Sequence, residues 1–514
     1  RPRAAPTTTT GLRDLAHAPP RPPTMSESKF SLPVDAGNRA TMIKLWSFAR
    51  PHMRAFHYAW LSFFLAFTGW FALAPLAPVI RVSLGLCANG GWDDFDTPRE
   101  CVCGPSCRSS LATANIISIA GTIFMRLLVG AWAETYGPRF SQMFLVCVFS
   151  IPLALASTVT DEAGLYAVRL FIGGMGATFV ITQFWTSVMF SKNVVGTANA
   201  TTAGWGNLGG GFTQIFMPWV FSWFLSFGYD LAWRLAVLVP AFLLFAVGVA
   251  LYLTSDDVPE GTYKELYKSG EREKQNGALV FLRAGKDPRV WLMFIIYGGC
   301  FGTELTMNNV LAAYFFDYFG LNLQTAGVAA GLFGLMNLFA RSLGGIASDF
   351  ANKKFSHRGR HWVWFIVQFM EGIALICFSR VTSDLFPVAI VVLLCFSTFV
   401  QMAEGAEYGV VPYVGKHLKA LGPVSGIVGA GGNMGAVIWG FIYRGFAAHP
   451  DPRIPFLVHG FCVVGTALLV PLVHYPQFGS MFFPQTIPDD QQEGHDLDQA
   501  TKPDQVKVTT TQSK

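Results

Sequence analysis

Apolar stretches of about 20 residues, the length one helix needs to cross a hydrocarbon core of roughly 30 Å, recur about twelve times along this 514-residue chain. They fall near 56–80, 111–132, 140–157, 163–190, 198–226 and 233–253, and again near 290–318, 323–347, 361–379, 386–411, 422–443 and 455–474. Hydrophobic residues make up 52% of the chain and charged residues 13%, where soluble proteins carry roughly 25% charge. The expected fold class is an all-α membrane protein of twelve transmembrane helices in two six-helix bundles. Its expected divisions are a mostly disordered cytoplasmic region over 1–55, a bundle over 56–253, a cytoplasmic central loop over 254–289, a second bundle over 290–474 and a cytoplasmic tail over 475–514. The net charge of +5 is small and spread over loops, which excludes a nucleic-acid-binding stripe.

Orientation follows from the distribution of basic residues. Lys264, Lys268, Arg272, Lys274, Arg283, Lys286 and Arg289 crowd the central segment, and the positive-inside rule places such a segment in the cytoplasm. An even number of spans then puts both termini there, together with Lys353, Lys354, Arg358 and Arg360. Cys87, Cys101, Cys103 and Cys107 fall in the loop after the first span, expected outside, where disulfides persist. Two bridges or a metal site fit those four residues, and spacing leaves three pairings open. Residues 1–24, rich in Pro, Thr and Arg, and the polar stretch from Ile487 read as disordered, and no signal peptide is expected before the first span. The Asn199 sequon opens a span on the cytoplasmic side, where no sugar is expected.

The two halves repeat each other. Arg126 is followed by Gly130 four residues on and Glu134 eight on, and Arg341 by Gly345 and Asp349 at the same intervals. Gly196 precedes Gly206-Asn207-Leu208-Gly209 as Gly422 precedes Gly432-Asn433-Met434-Gly435. Repeated six-helix halves with a binding site near the midplane between them is a common design of secondary transporters. The segment Gly130 to Arg139 resembles the loop motif of the major facilitator superfamily, and Gly345 to Asp349 its second copy. The resemblance implies a gating role for Gly130, Glu134, Arg139, Gly345 and Asp349, with glycines that let helices approach and charges that latch one conformer.

Arg126 and Arg341 lie well inside apolar spans, where a central Arg costs about 2.5–3.5 kcal/mol. At matched positions in two halves, their permanently charged, forked donors suit a clamp on a small planar oxyanion. Nitrate has that shape and donates no hydrogen bond, although nitrite, chlorate or a carboxylate also fits. Asn207 and Asn433 are candidates for orienting the arginines or the anion. Gly204, Gly206, Gly209 and Gly210, with Gly432 and Gly435, are small enough to bring helix backbones into contact, and a smooth surface of that kind would let halves slide.

AGWGNLGGGFTQ at 203–214 and GPVSGIVGAGGNMGA at 422–436 resemble the two nitrate signatures of the nitrate/nitrite porter family, most like its plant and algal high-affinity nitrate transporters. The resemblance runs from about Phe56 to Phe483 and includes FGTELTMNN at 301 and LFARSLGGIASDF at 338. It implies nitrate binding by Arg126 and Arg341 with aromatic rings sandwiching the ion, carried here to Phe179 and Tyr297. It also implies proton symport, no cofactor, a plasma-membrane location and a small accessory membrane subunit as partner. The cysteine-rich loop departs from the plant pattern, as does Asn308, where plant members carry Asp.

Moving one negative charge against an inside-negative potential costs about 2.3 kcal/mol per 100 mV, so anion uptake needs coupling, and two protons per anion would reverse the sign. Glu304, Glu371, Glu404 and Glu407 are the intramembrane proton-coupling candidates, Glu304 foremost. Exchange of nitrate for nitrite, transport of another small anion, a nitrate sensor and an anion channel are the competing functions. No Ser/His/Asp, metal-ligand or phosphate-loop pattern points to an enzyme.

Overall fold

The computed structural model describes residues 30–483 except 91–96, 192–193, 270–280, 283, 412, 415–420 and 476–477. Residues 1–24, the stretch from Ile487, and Arg272, Lys274 and Arg283 of the central segment lie outside the described residues, as does the side chain of Glu134. The described residues form helices with no strand, only isolated β-bridges.

Chain order is α1 His52–Trp70, α2 Ala77–Ser83, α3 Pro105–Tyr136, α4 Pro138–Leu155, α5 Glu162–Ile172, α6 Thr178–Met189, α7 Val195–Phe224, α8 Tyr229–Thr254 and the short α9 Tyr263–Ser269. It continues with α10 Pro288–Asp317, α11 Leu323–Leu335, α12 Ala340–Phe378, α13 Phe386–Tyr408, α14 Leu421–Gly445 and α15 Ile454–Ala467. Eight stretches among the described residues are long and apolar enough to cross a membrane. Large apolar side chains such as Phe242, Leu253, Val391 and Phe461 are exposed on the outside of the bundle, as a lipid-facing surface requires.

Local chemistry sets the breaks. The stretch expected as one span over 56–80 is two helices, because Pro75 has no N–H to continue α1 and Pro78 opens α2 in its first turn. Asp161, Asp287 and Asn322 cap α5, α10 and α11 by accepting backbone N–H bonds. Gly137 turns α3 into α4 at φ +87°, and a Cβ there would lie 2.7 Å from Asp257 Oδ1, so only glycine fits. Ser356, at φ +55°, marks the reversal inside α12, which is two helices joined at a kink.

Within each set of helices a small-residue helix packs on a partner. Gly206 and Gly209 of α7 face Phe63 and the Phe64 carbonyl of α1, and Gly432 and Gly435 of α14 face Phe301 and the Gly298 carbonyl of α10. Between the sets, Gly211 of α7 meets Gly334 of α11 backbone to backbone. At one end of the bundle residues 38–50 contact 254–260 through Asn38–Glu260 and Arg50–Asp256, and the Met481 carbonyl accepts from Arg358. The four loop cysteines lie at the other end, bonded as Cys87–Cys101 and Cys103–Cys107.

Candidate functional site

Arg126 and Arg341 come together where α3, α10, α12, α13 and α14 meet. The Arg126 Nε donates to the Gly176 carbonyl at 3.1 Å, and its Nη1 to the Gly429 carbonyl of α14 at 3.0 Å. One guanidinium thus joins α1–α8 to α10–α15. Gly176 can offer its carbonyl because the chain between α5 and α6 winds as a 3₁₀ segment, Gly173–Ala177. Its glycines let it press against the Ser118 carbonyl and the Phe149 and Trp70 rings, positions where a Cβ would collide. Two rings flank the guanidinium, Phe179 at 5.2 Å and Phe301 at 5.6 Å from its central carbon. Arg126 makes no ion pair among the described residues, and its Nη2 has no hydrogen-bond partner there.

Arg341 is different. Its Nη1 donates to Glu404 Oε2 at 2.5 Å and its Nη2 to the Tyr297 hydroxyl at 3.0 Å. Tyr297 therefore reaches the site through its hydroxyl, while its ring stacks on Phe301 at 5.4 Å. Glu304 accepts from Asn337 Nδ2 at 2.8 Å and from Asn207 Nδ2 at 3.5 Å. Its carboxyl lies within hydrogen-bonding reach of that of Glu404. Tyr297 and Tyr408 neighbour both guanidinia. The result is a buried cluster of two arginines and two carboxyls ringed by aromatics. Low polarity strengthens every charge interaction inside it.

The remaining candidates divide. Asn433 turns back onto its own helix, donating to the Gly429 carbonyl at 3.4 Å, the same carbonyl that accepts from Arg126. Glu407 accepts from Cys300 Sγ and Glu371 lies beside Thr303, so neither contacts an arginine in the cluster. Gly204 and Gly210 face Asn337 and Asn308 of the opposite helices, whereas Gly206, Gly209, Gly432 and Gly435 face partners of their own set. The smooth surface expected between halves is thus carried chiefly by Gly204, Gly210 and Gly211.

Of the gating residues, Arg139 caps the turn after α3. Its backbone N–H donates to Asp257 Oδ1 at 2.9 Å, with its guanidinium 3.9 Å from the same carboxyl and over the Tyr252 ring. Burial holds the Asp257 carboxyl above the usual carboxylate range, against the pull of Arg139. Asp349 pairs with Arg360 at 2.7 Å. A Cβ at Gly345 would meet nothing within 4 Å, and the close approach expected there occurs one residue earlier, at Gly344 against the Met402 carbonyl. The surroundings of Gly130 lie outside the described side chains.

The cysteine-bearing end is closed by bonds between the two helix sets. Arg81 grips Asp317 with two bonds of 2.8 Å. Arg99 donates to the Gly320 carbonyl at 2.6 Å and Arg108 to the carbonyls of Ala447 and His449.

Sequence reasoning missed Phe301, Tyr408, Asn337 and Asp257. Phe301 and Tyr408 each lie four residues from a recognised residue, Tyr297 and Glu404, hence on the same helical face; Asn337 lies four before Arg341 but in the 3₁₀ turn Met336–Leu338 that precedes α12. Asp257 carried no such signal, since it acts from the next loop.

A model of the Major Facilitator Superfamily matches residues 59–403. The chain is 42% identical to the high affinity nitrate transporter 2.5 of Arabidopsis thaliana, over 89% of this chain and 87% of that one. It is 36% identical to the nitrate transporter 2.2 of Chlamydomonas reinhardtii, over 89% and 86%. The xylose transporter XylE from E. coli, in a partially occluded inward open conformation, superposes with a TM-score of 0.58 at 14% identity, over 82% of this chain and 98% of that one; this likeness bears on fold alone. The chain belongs to the nitrate/nitrite porter family of the major facilitator superfamily, a family of transporters and not of enzymes.

Proposed function

We propose that this protein carries nitrate into the cell with protons by alternating access, and that Arg126 and Arg341 hold the anion between two six-helix bundles, 56–253 and 290–474. The observation that carries the reading is the asymmetry of the arginines: Arg126 has no carboxylate partner among the described residues, while Arg341 is occupied by Glu404 beside Glu304. An anion entering the cluster meets at Arg126 a positive charge with no carboxylate against it and an unpartnered Nη2, and at Arg341 a guanidinium already held by Glu404. Protonation of the adjoining carboxyls releases Arg341, since a neutral acid no longer competes for the guanidinium. Proton and nitrate thereby favour each other's binding at one site. Two protons per nitrate carry net positive charge inward, so the membrane potential drives the cycle.

Phe179 and Phe301 cover the faces of the Arg126 fork, and a planar anion lying against that fork stays in the same slot. The closed contacts at the cysteine end match a conformer that opens toward the basic end. By the positive-inside rule that end is cytoplasmic, with both termini; a plasma-membrane location is what the resemblance to plant and algal nitrate transporters implies. The disulfide-bonded loop then faces outside, where a small accessory subunit would dock. The names of the two plant and algal relatives, both nitrate transporters, support the choice of anion.

Current evoked by nitrate in cells expressing the chain, with and without an accessory subunit, tests the reading. Inward positive current that grows as external pH falls, and that phosphate does not evoke, is expected. A nitrate current indifferent to pH would refute symport.

A further inference from the structure

A cavity of about 180 Å³ lies at the cysteine-bearing end, lined in part by Arg108, Asn115, Arg169, Asn309, Asp317 and Tyr443. Arg169 is the unusual member. It is 2% exposed, and its partners are neutral: the Trp70 carbonyl at 3.3 Å from Nη1, Asn309 Oδ1 at 2.9 Å from Nη2, and Asn115 Oδ1. Among the described residues, the one carboxylate lining the cavity, Asp317, is held on both oxygens by Arg81. Among the described residues Arg169 therefore has no counterion, and a buried charge without one is costly. Arg108, at the exposed rim, adds a second positive charge.

We infer that this cavity is a second, peripheral binding site for a small monovalent oxyanion, with Arg169 as its charged anchor and Arg108 as its collector. The inference rests on the anion-transport reading above and extends it to a site that holds the anion before the deep cluster takes it. The space suffices, since a cavity of about 150 Å³ already accepts benzene. The placement also suits a staging post. Arg169 and Phe179 are ten residues apart on one path through α5, the 3₁₀ segment Gly173–Ala177 and α6, roughly 15–18 Å at 1.5–2.0 Å per residue. Asn309 stands five residues beyond Glu304 on α10. Both walls of the cavity thus run directly into the walls of the arginine cluster. Positive charge in a low-dielectric recess raises the local anion concentration, and the neutral asparagine acceptors orient the guanidinium without neutralising it.

The test is calorimetric titration of the purified full chain with sodium nitrate, paired with uptake kinetics. Wild type is expected to bind two nitrates. The double variant Arg126→Ala/Arg341→Ala is expected to retain one, the peripheral ion. Asn309→Asp, which sets a carboxylate of the same size against Arg169, is expected to retain the deep one and to raise the uptake KM about tenfold, by more than it lowers the saturating rate. Asn115→Asp performs the same neutralisation from α3 should the first variant fail to fold. A single nitrate in wild type, with stoichiometry and KM unmoved by Asn309→Asp, Asn115→Asp and Arg169→Gln, would overturn the peripheral site and leave the deep one standing. No nitrate bound by wild type at all would overturn the transport reading itself.

Discussion

Replacing Gly211 by alanine should tip the protein out of the conformer described here. A Cβ on Gly211 would lie 2.6–2.7 Å from the Gly334 and Leu335 backbone, and one on Gly334 would lie 2.4 Å from the Gly211 Cα. No flexible side chain can give way at that contact, so α7 and α11 must separate. Overpacking of this kind costs about 1–3 kcal/mol, and the cost falls on the conformer in which the two helices touch. At 1.4 kcal/mol per tenfold change, the equilibrium shifts by roughly 5- to 150-fold toward a state open at the cysteine end. Spin labels at Ser106 and Ala448, exposed positions flanking the Arg108 contact with Ala447 and His449, report the separation by pulsed dipolar spectroscopy. The expected result is growth of a longer distance in Gly211→Ala and no change in Gly465→Ala, where a Cβ meets nothing within 4 Å. An unaltered distance distribution in Gly211→Ala would show that this contact does not discriminate between conformers.

Three further outcomes follow from other parts of the molecule. Glu404→Gln removes the partner of Arg341 while keeping its shape, so nitrate-evoked current should lose most of its dependence on external pH; a pH profile matching wild type would remove Glu404 from coupling. Cys87→Ser/Cys101→Ser opens a loop of 14 residues and should lower unfolding free energy by about 3 kcal/mol, against about 2 kcal/mol for Cys103→Ser/Cys107→Ser, measured as detergent unfolding. Because burial raises the Asp257 carboxyl, the folded state holds its proton to higher pH than the unfolded chain. Its contribution is thus complete below the ordinary carboxylate range near pH 4 and is lost as pH rises through the folded value. Asp257→Asn should flatten that part of the melting profile, and an unchanged slope would refute the assignment.

Much of this was legible because lipid leaves few choices: a run of 20 apolar residues must be a helix, and an arginine inside one must have a reason. The repeat of Arg126 and Arg341 pointed to a paired site, and the structure places both in one cluster with Glu304 and Glu404. What could not be read is what depends on three-dimensional placement. Nothing in the sequence distinguishes a compensated Arg341 from an uncompensated Arg126. Tyr297 was expected to present its ring, yet its hydroxyl meets Arg341 while Phe301, one turn along, supplies the face. Of the four buried glutamates Glu304 stood foremost in the sequence, and it is the packing of α10, α12 and α13 that sets Glu304 and Glu404 beside Arg341 and leaves Glu371 and Glu407 apart. The cysteine pairing had three solutions by spacing, and loop geometry selected one.

The most direct test of the account is uptake of labelled nitrate into proteoliposomes under an imposed proton gradient, comparing wild type with Arg126→Lys and Arg341→Lys. Lysine preserves the charge and loses the fork, and a lost charge-assisted hydrogen bond is worth about 1.5–3 kcal/mol. Apparent affinity should therefore fall by roughly 10- to 150-fold in each variant while wild type accumulates nitrate. Accumulation with the same affinity in wild type and both variants would contradict the two-arginine site.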